Sequence, residues 1–252
     1  MRFFELLLEN WPLLIQGFGM TLLIVSISSL AGFMLSVPLA LAVQSRPAWL
    51  RVPCEAFIFF LRGTPLLVQM FIVYYGLSQF NWMKNSFLWQ GFLESPFWCG
   101  AIALSLNAAA YMAVILRGGM RAVPSGQIEA ARAYGMPPWL RLRRVILPQA
   151  FRLALPSYSN ELILLIKGSA LTSTITLMEL TGVTRTLISQ TYTPILFYSV
   201  AAALYLILNL SVAQAFRAAE RWMTPWRTGK IKPVAPAPHV VHTGIVHVTG
   251  HH

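Results

Sequence analysis

EAARAYGMPPWLRLRRVILPQAF, residues 129–151, stands out because it is dense in arginine, glycine and proline within a chain that is otherwise apolar enough for lipid. Its own pattern is that of two stiff elements around a turn. Pro124 and Ser125 are suited to opening a helix and Gly135 to closing it in the left-handed conformation. Pro137 and Pro138 then stop one element and start the next, since proline fits a first helical turn and restricts the residue before it. In the second element Leu142, Val145 and Ile146 share one face while Arg141 and Arg144 point elsewhere, an amphipathic spacing. Pro148 and Pro156 are expected to bracket a further short turn.

The setting of this island is a membrane protein. Of 252 residues, 56% are hydrophobic and only 11% charged, far from the balance of a soluble domain. A helix needs about 20 mostly apolar residues to cross the hydrocarbon core. Five stretches meet that need, at about 18–43, 52–80, 97–116, 157–180 and 197–216. The expected fold is therefore an all-α membrane protein of five transmembrane helices, with residues 117–156 as a long loop on one side. The opening MRFFELLLENW is expected to form a separate amphipathic helix on the outer surface, since it lacks the basic start and small-residue cleavage site of a signal peptide.

Arginine and lysine fix the orientation, because they concentrate in the cytoplasmic loops near span ends. One side holds Arg46, Arg51, seven arginines from Arg117 to Arg152, and Arg217, Arg221, Arg227, Lys230 and Lys232; the other holds Arg2, Lys84 and Arg185. Fourteen against three places the N-terminus outside and the C-terminus in the cytoplasm. The net charge of +11 hugs span ends and is not interleaved with stacking aromatics, so headgroups explain it and nucleic acid does not.

The remaining features are simpler. Cys54 and Cys99 fall near opposite ends of their spans and are expected to be free. The outer loop 81–96 carries Trp82, Phe87, Trp89 and Phe92 as interfacial anchors. Residues 1–226 form the membrane domain, and 227–252 read as a disordered tail rich in Pro and holding all five histidines. With no acidic or cysteine partners, those histidines do not define a metal site.

Ionisable and polar groups inside spans are costly, which makes each a functional candidate. Arg62 lies near mid-depth of the second span and is followed by Gly63, Thr64 and Pro65, which loosen the helix. Either Arg62 steadies a kink, bonding carbonyls or a buried carboxylate, or it contacts the pathway. In the fourth span Glu161 shares a face with Leu165, Gly168, Ser169 and Thr172, a credible wall for a small polar solute. Asn160 and Lys167 lie on another side. Asn107 and Tyr111 are neighbours one turn apart in the third span, opposite a small-residue stripe of Ala101, Ser105, Ala109 and Ala113, and Gln69 could face them. Two readings of Glu161 stay open. It either pairs with Arg62 or Lys167 to hold the bundle, or it favours a cationic solute such as arginine, lysine, ornithine or histidine.

Glu129, Ala130, Ala131 and Gly135, followed after nine residues by Val145 and then Leu147 and Pro148, resemble the EAA loop of ABC importer permeases; Val145 stands where isoleucine is usual. RGTPLLVQMFIVYYG (62–76), ALSLNAAAY (103–111) and YSNELILLIKGSALTSTITLMEL (158–180) extend the resemblance over roughly residues 10–225. It is closest to the histidine and arginine importers of the polar amino acid branch. The resemblance implies a multi-pass subunit of the bacterial inner membrane, its N-terminus periplasmic, that carries basic amino acids, or an opine, by alternating access. It implies as partners a second, homologous permease in a heterodimer, an ATP-binding subunit dimer and a periplasmic substrate-binding protein. The helix from Ser125 to Tyr134 would dock on the ATPase through Glu129, Ala130 and Ala131, with Arg132 beside Glu129 and Gly135 as its turn. The chain has no phosphate loop of the form G-x-x-x-x-G-K-[ST], so ATP and Mg would bind to the partner ATPase and the chain would not be an enzyme. A self-powered secondary transporter with Glu161 and Lys167 as an ion relay is the rival from another class, and a subunit whose own pocket is vestigial is a second.

Overall fold

The computed structural model describes residues 2–81, 86 and 89–223. The expectations for Trp82, Phe87 and the tail 227–252 with its histidines lie outside the described residues.

Those residues are helical throughout, without strands. Helix α1 spans Arg2–Ala42, α2 Ala48–Gly63, α3 Leu66–Phe71, α4 Pro96–Arg121, α5 Ser125–Ala133, α6 Pro138–Arg141, α7 Leu147–Ser169, α8 Leu180–Thr191 and α9 Pro194–Met223. Short π and 3-10 turns fill the joins, at Ile72–Gly76 and Leu77–Gln79 after α3, Leu142–Ile146 before α7 and Ala170–Ile175 after it. Three helices, α1, α4 and α9, are long and apolar enough to cross a membrane. Two bent pairs bring the number to five if each pair is one span: α2 with α3, bent by 107°, and α7 with α8, bent by 51°.

The separate surface helix expected at the N-terminus does not form. Residues 2–42 make one helix of 41 residues, about 60 Å long against a hydrocarbon core of about 30 Å. Pro12 does not break it, because the carbonyl that proline leaves unpaired belongs to Leu8, which is exposed. The turn expected between Pro148 and Pro156 is also absent. Pro148 sits in the first turn of α7, where its missing N–H costs nothing, and Pro156 is carried inside the same helix. The amphipathic element after Pro138 thus runs straight into the fourth span.

Helix α4 is the hub: α1 packs along one flank, α7 along another, and α2 and α3 lie against it. Its small residues make this possible. Ala101, Ala109 and Ala113 are buried, Ser28 donates from α1 to the Ala101 carbonyl at 3.3 Å, and Ser105 bonds back to the same carbonyl at 2.6 Å. The closest approach of two helices is at Gly119, where a side-chain carbon would stand 2.5 Å from the Ala150 carbonyl oxygen of α7. Gly119→Ala is therefore expected to push α7 off α4 and destabilise the purified protein by about 1–3 kcal/mol, read as a lowered melting temperature in detergent. An unchanged melting temperature would mean that this approach is slack.

Candidate translocation pathway and loop surface

The break after α2 is built by three residues that sequence reading picked out. Gly63 ends α2, Thr64 turns the chain, and Pro65, with no N–H to continue the ladder, caps α3 in an extended conformation. Breaking a helix inside a membrane leaves carbonyls that only protein or water can satisfy. Gln69 meets this need, its amide nitrogen reaching the Leu61 carbonyl at 2.7 Å, the Thr64 carbonyl at 3.0 Å and the Thr64 hydroxyl at 2.8 Å. Asn107 of α4 donates to the Gln69 side-chain oxygen at 3.0 Å and reaches the Leu61 carbonyl at 3.4 Å. Tyr111, one turn on, donates to the Arg62 carbonyl at 3.5 Å, and the Arg62 guanidinium lies 5.1 Å from the centre of its ring. Arg62, Gln69, Asn107 and Tyr111 thus form one cluster. Gln69 and Asn107 spend their amides on the kink, whereas the Arg62 side chain remains exposed and makes no hydrogen bond among the described residues.

The face of α7 that was expected to form a solute wall is assembled as a face but is closed. Glu161, Leu165, Ser169 and Thr172 are all buried, and the two hydroxyls bond their own helix, Ser169 to the Ile166 carbonyl and Thr172 to the Ser169 carbonyl, each at 2.7 Å. A side chain at Gly168 would meet Leu66 of α3 at 3.1 Å. In this conformation Ser169 and Thr172 are packing groups. Glu161, 7% exposed, has no hydrogen bond and no ion pair among the described residues. The expected pairing with Arg62 or Lys167 is not formed within 4.0 Å. Lys167 and Asn160 are exposed on the opposite side of α7.

The loop closes as its sequence prescribes. The Gly135 N–H bonds the Arg132 carbonyl at 2.8 Å and the Met136 N–H bonds the Ala131 carbonyl at 3.0 Å, the paired bonds of a Schellman cap, with Gly135 left-handed at φ 71°. Pro137 and Pro138 open the next helix. Glu129, Ala130, Arg132 and Gly135 are exposed, as are Tyr134 and Trp139 on either side of the turn. Ala131 is not: it is buried toward the chain's own segment 138–146, so the small exposed face of α5 is made by Gly126, Ala130 and Ala133. Glu129 and Arg132 form no ion pair within 4.0 Å.

A further acid at the end of the fourth stretch, Glu179, is fully buried. It caps α8 by accepting from the Gly182 N–H at 2.9 Å, and it also accepts from Thr21 of α1 at 3.2 Å and Tyr205 of α9 at 2.7 Å. Thr181 completes the cluster, its hydroxyl 3.0 Å from that of Tyr205. The available signal was the acid three residues before Gly182, an N-cap spacing. Both cysteines are free, and no group of three metal-ligating side chains occurs among the described residues.

Known proteins share this arrangement. The chain is 48% identical over 226 residues to the octopine transport system permease protein OccM of Rhizobium meliloti, covering 90% of this chain and 92% of that one. It is 38% identical to the histidine/lysine/arginine/ornithine transport system permease protein HisM of Salmonella typhimurium, covering 87% and 97%. A crystal structure of an amino acid ABC transporter with histidines superposes with a TM-score of 0.77 at 34% identity, over 86% of this chain and 96% of that one. The profile of the binding-protein-dependent transport system inner membrane components matches residues 32–225. With this family match, an all-helical fold carrying three to five candidate membrane helices, and relatives of this similarity along most of its length, the chain belongs to that family, the permeases of ABC importers.

Proposed function

We propose that this permease carries basic amino acids, or an opine built on one, across the bacterial inner membrane. The observation that carries this reading is Glu161: a buried carboxyl group with no ion pair of its own, next to a broken span, in a chain whose relatives are named for octopine and for histidine, lysine, arginine and ornithine. A carboxylate held in a poorly hydrated site favours a cationic side chain beside it. The higher identity to the octopine permease favours the opine as the second reading.

Transport would proceed by alternating access. The helix α5 would dock on a separate ATP-binding subunit, which supplies ATP and Mg, with Glu129, Ala130, Arg132 and the Gly135 turn at the contact and Ala131 seating α5 on the permease itself. The cytoplasmic side would be the one carrying α5, as the arginine excess indicates. A second homologous permease and a periplasmic binding protein would complete the complex, with residues 1–226 as the membrane domain. Closure of the ATPases would move α5, and the stiff run from α6 into α7 would pass that motion to the face bearing Glu161. Opening that face would expose Ser169 and Thr172, while Gln69 and Asn107 hold the kink.

Glu161→Gln is expected to lower uptake of labelled arginine in whole cells by about tenfold, equivalent to about 1.4 kcal/mol, with surface expression unchanged. Full uptake in this variant would remove Glu161 from the pathway.

A further inference from the structure

A second polar site, which shares Arg62 with the cluster at the break, lies in a cavity of about 340 Å³ where α1, α2 and α4 meet near the end of the bundle that carries α5. Its walls are apolar, including Val43, Ile58 and Ala113, and its charged groups are Glu55 and Arg62 from α2 and Arg117 from α4. The volume falls at the low end of small-ligand sites.

These charges are poorly matched to one another. Arg117 Nη2 stands 4.0 Å from Glu55 Oε1, the outer limit of an ion pair, with the side chains 31% and 43% exposed. The Arg117 Nε is buried without any hydrogen-bond partner, in a molecule where the only other such atom among the described residues is an Asn209 oxygen. Arg62 lays its face on the Tyr111 ring and leaves its N–H edge without a hydrogen bond among the described residues. A buried donor left unpaired is costly, and a guanidinium presents its Nε–H and one Nη–H as a fork matched to two anionic oxygens. Across the cavity, Glu55 offers acceptors to an ammonium group.

We propose that this cavity binds a zwitterionic head group, its carboxylate or phosphate on Arg117 and Arg62 and its ammonium on Glu55. Such a group replaces one long ion pair by two short ones and satisfies the free Nε–H. Two sources share that chemistry: the α-amino and α-carboxylate groups of a free amino acid, and the head of phosphatidylethanolamine. The amino-acid source rests on the importer reading above; the lipid source does not.

The test uses the complete transporter, permeases with their ATPases, purified in detergent without binding protein. Phosphatidylethanolamine retention is read by native mass spectrometry against phosphatidylcholine, whose quaternary ammonium has no N–H to give Glu55, and labelled L-arginine retention by equilibrium dialysis. Wild type is expected to hold one of the two zwitterions per copy of this chain, with Arg117→Gln and Glu55→Gln each lowering occupancy at least tenfold. The arm in which that loss occurs names the source. Should Arg117→Gln fail to assemble, Glu55→Gln alone decides. Retention of neither zwitterion by wild type, or equal retention in the assembled variants, overturns the site. Binding-protein-stimulated ATPase activity, measured on the same preparations, tests the importer reading separately.

Discussion

Gly135→Val is expected to insert and assemble normally while losing at least 90% of binding-protein-stimulated ATPase activity, on the order of a tenfold or greater effect. The reason is local. At φ 71° a residue with a Cβ is strained by about 1–2 kcal/mol, and a β-branched one by more. Nothing within 4 Å would clash with the new side chain, so the effect acts on the backbone and not on packing. The cheapest relief is to give up the Schellman cap, with its bonds from Gly135 to Arg132 and from Met136 to Ala131, and to let α5 run on or fray. Either way the angle between α5 and the Pro137–Pro138 start of α6 is lost, and with it the exposed face of Gly126, Ala130 and Ala133. Gly135→Asn tolerates the left-handed region better and is expected to keep much of the coupling. Normal stimulation in Gly135→Val would show that α5 does not transmit force. Gly135→Asn as damaged as Gly135→Val would show that side-chain bulk at the docking surface, and not the turn, is what matters.

The loop and the kink were legible in the sequence because both are written in residues with hard backbone limits. Gly135, Pro137 and Pro138 leave the chain few choices, and Gly63 with Pro65 loosens a helix; Gln69, Asn107 and Tyr111 stood out only as polar groups inside spans, and their place at the break came from the structure. The depth of the kink, 107°, was not legible, since it depends on which carbonyls Gln69 and Asn107 can reach in three dimensions. The N-terminal helix was misjudged because the amphipathic opening MRFFELLLENW does not say whether the chain turns after it; Pro12 is carried inside one continuous helix. Helical spacing correctly put Glu161, Ser169 and Thr172 on one face, yet spacing carries no information on whether that face is open or packed. Helix α8 was missed because its polar run TGVTRTLISQT has no long apolar stretch; it is held by burial against α1 and by the Glu179 cap.

That cap supports the second large effect. Glu179→Leu is expected to destabilise the assembled protein by about 2–3 kcal/mol, a loss that in practice reads as reduced membrane yield and a melting temperature lowered by several degrees. The carboxyl group is the common acceptor for donors on three elements: the Gly182 N–H at the start of α8, Thr21 on α1 and Tyr205 on α9. Removing it leaves the N–H of the buried Gly182 without its acceptor and takes one bond each from Thr21 and Tyr205. Thr21 keeps an acceptor, the Gly17 carbonyl of its own helix at 3.1 Å, and its oxygen goes on accepting the Leu180 N–H at 3.1 Å. Tyr205, only partly buried, can turn its hydrogen to the Thr181 hydroxyl 3.0 Å away. Leucine fills the volume, so a cavity does not account for the loss. Glu179→Gln keeps one acceptor oxygen and is expected to cost less than half as much, whereas Tyr205→Phe deletes a single donor and costs about 1 kcal/mol. Because these groups act as one network, the double variant Glu179→Gln with Tyr205→Phe should lose less than the sum of its parts. A Glu179→Leu protein that melts within about 2 °C of wild type would mean that α1, α8 and α9 are joined by apolar packing alone. In that case the cluster of Leu14, Leu180, Leu187 and Phe197 beneath the carboxyl group, and not the carboxyl group itself, would be what fixes α8 to the bundle.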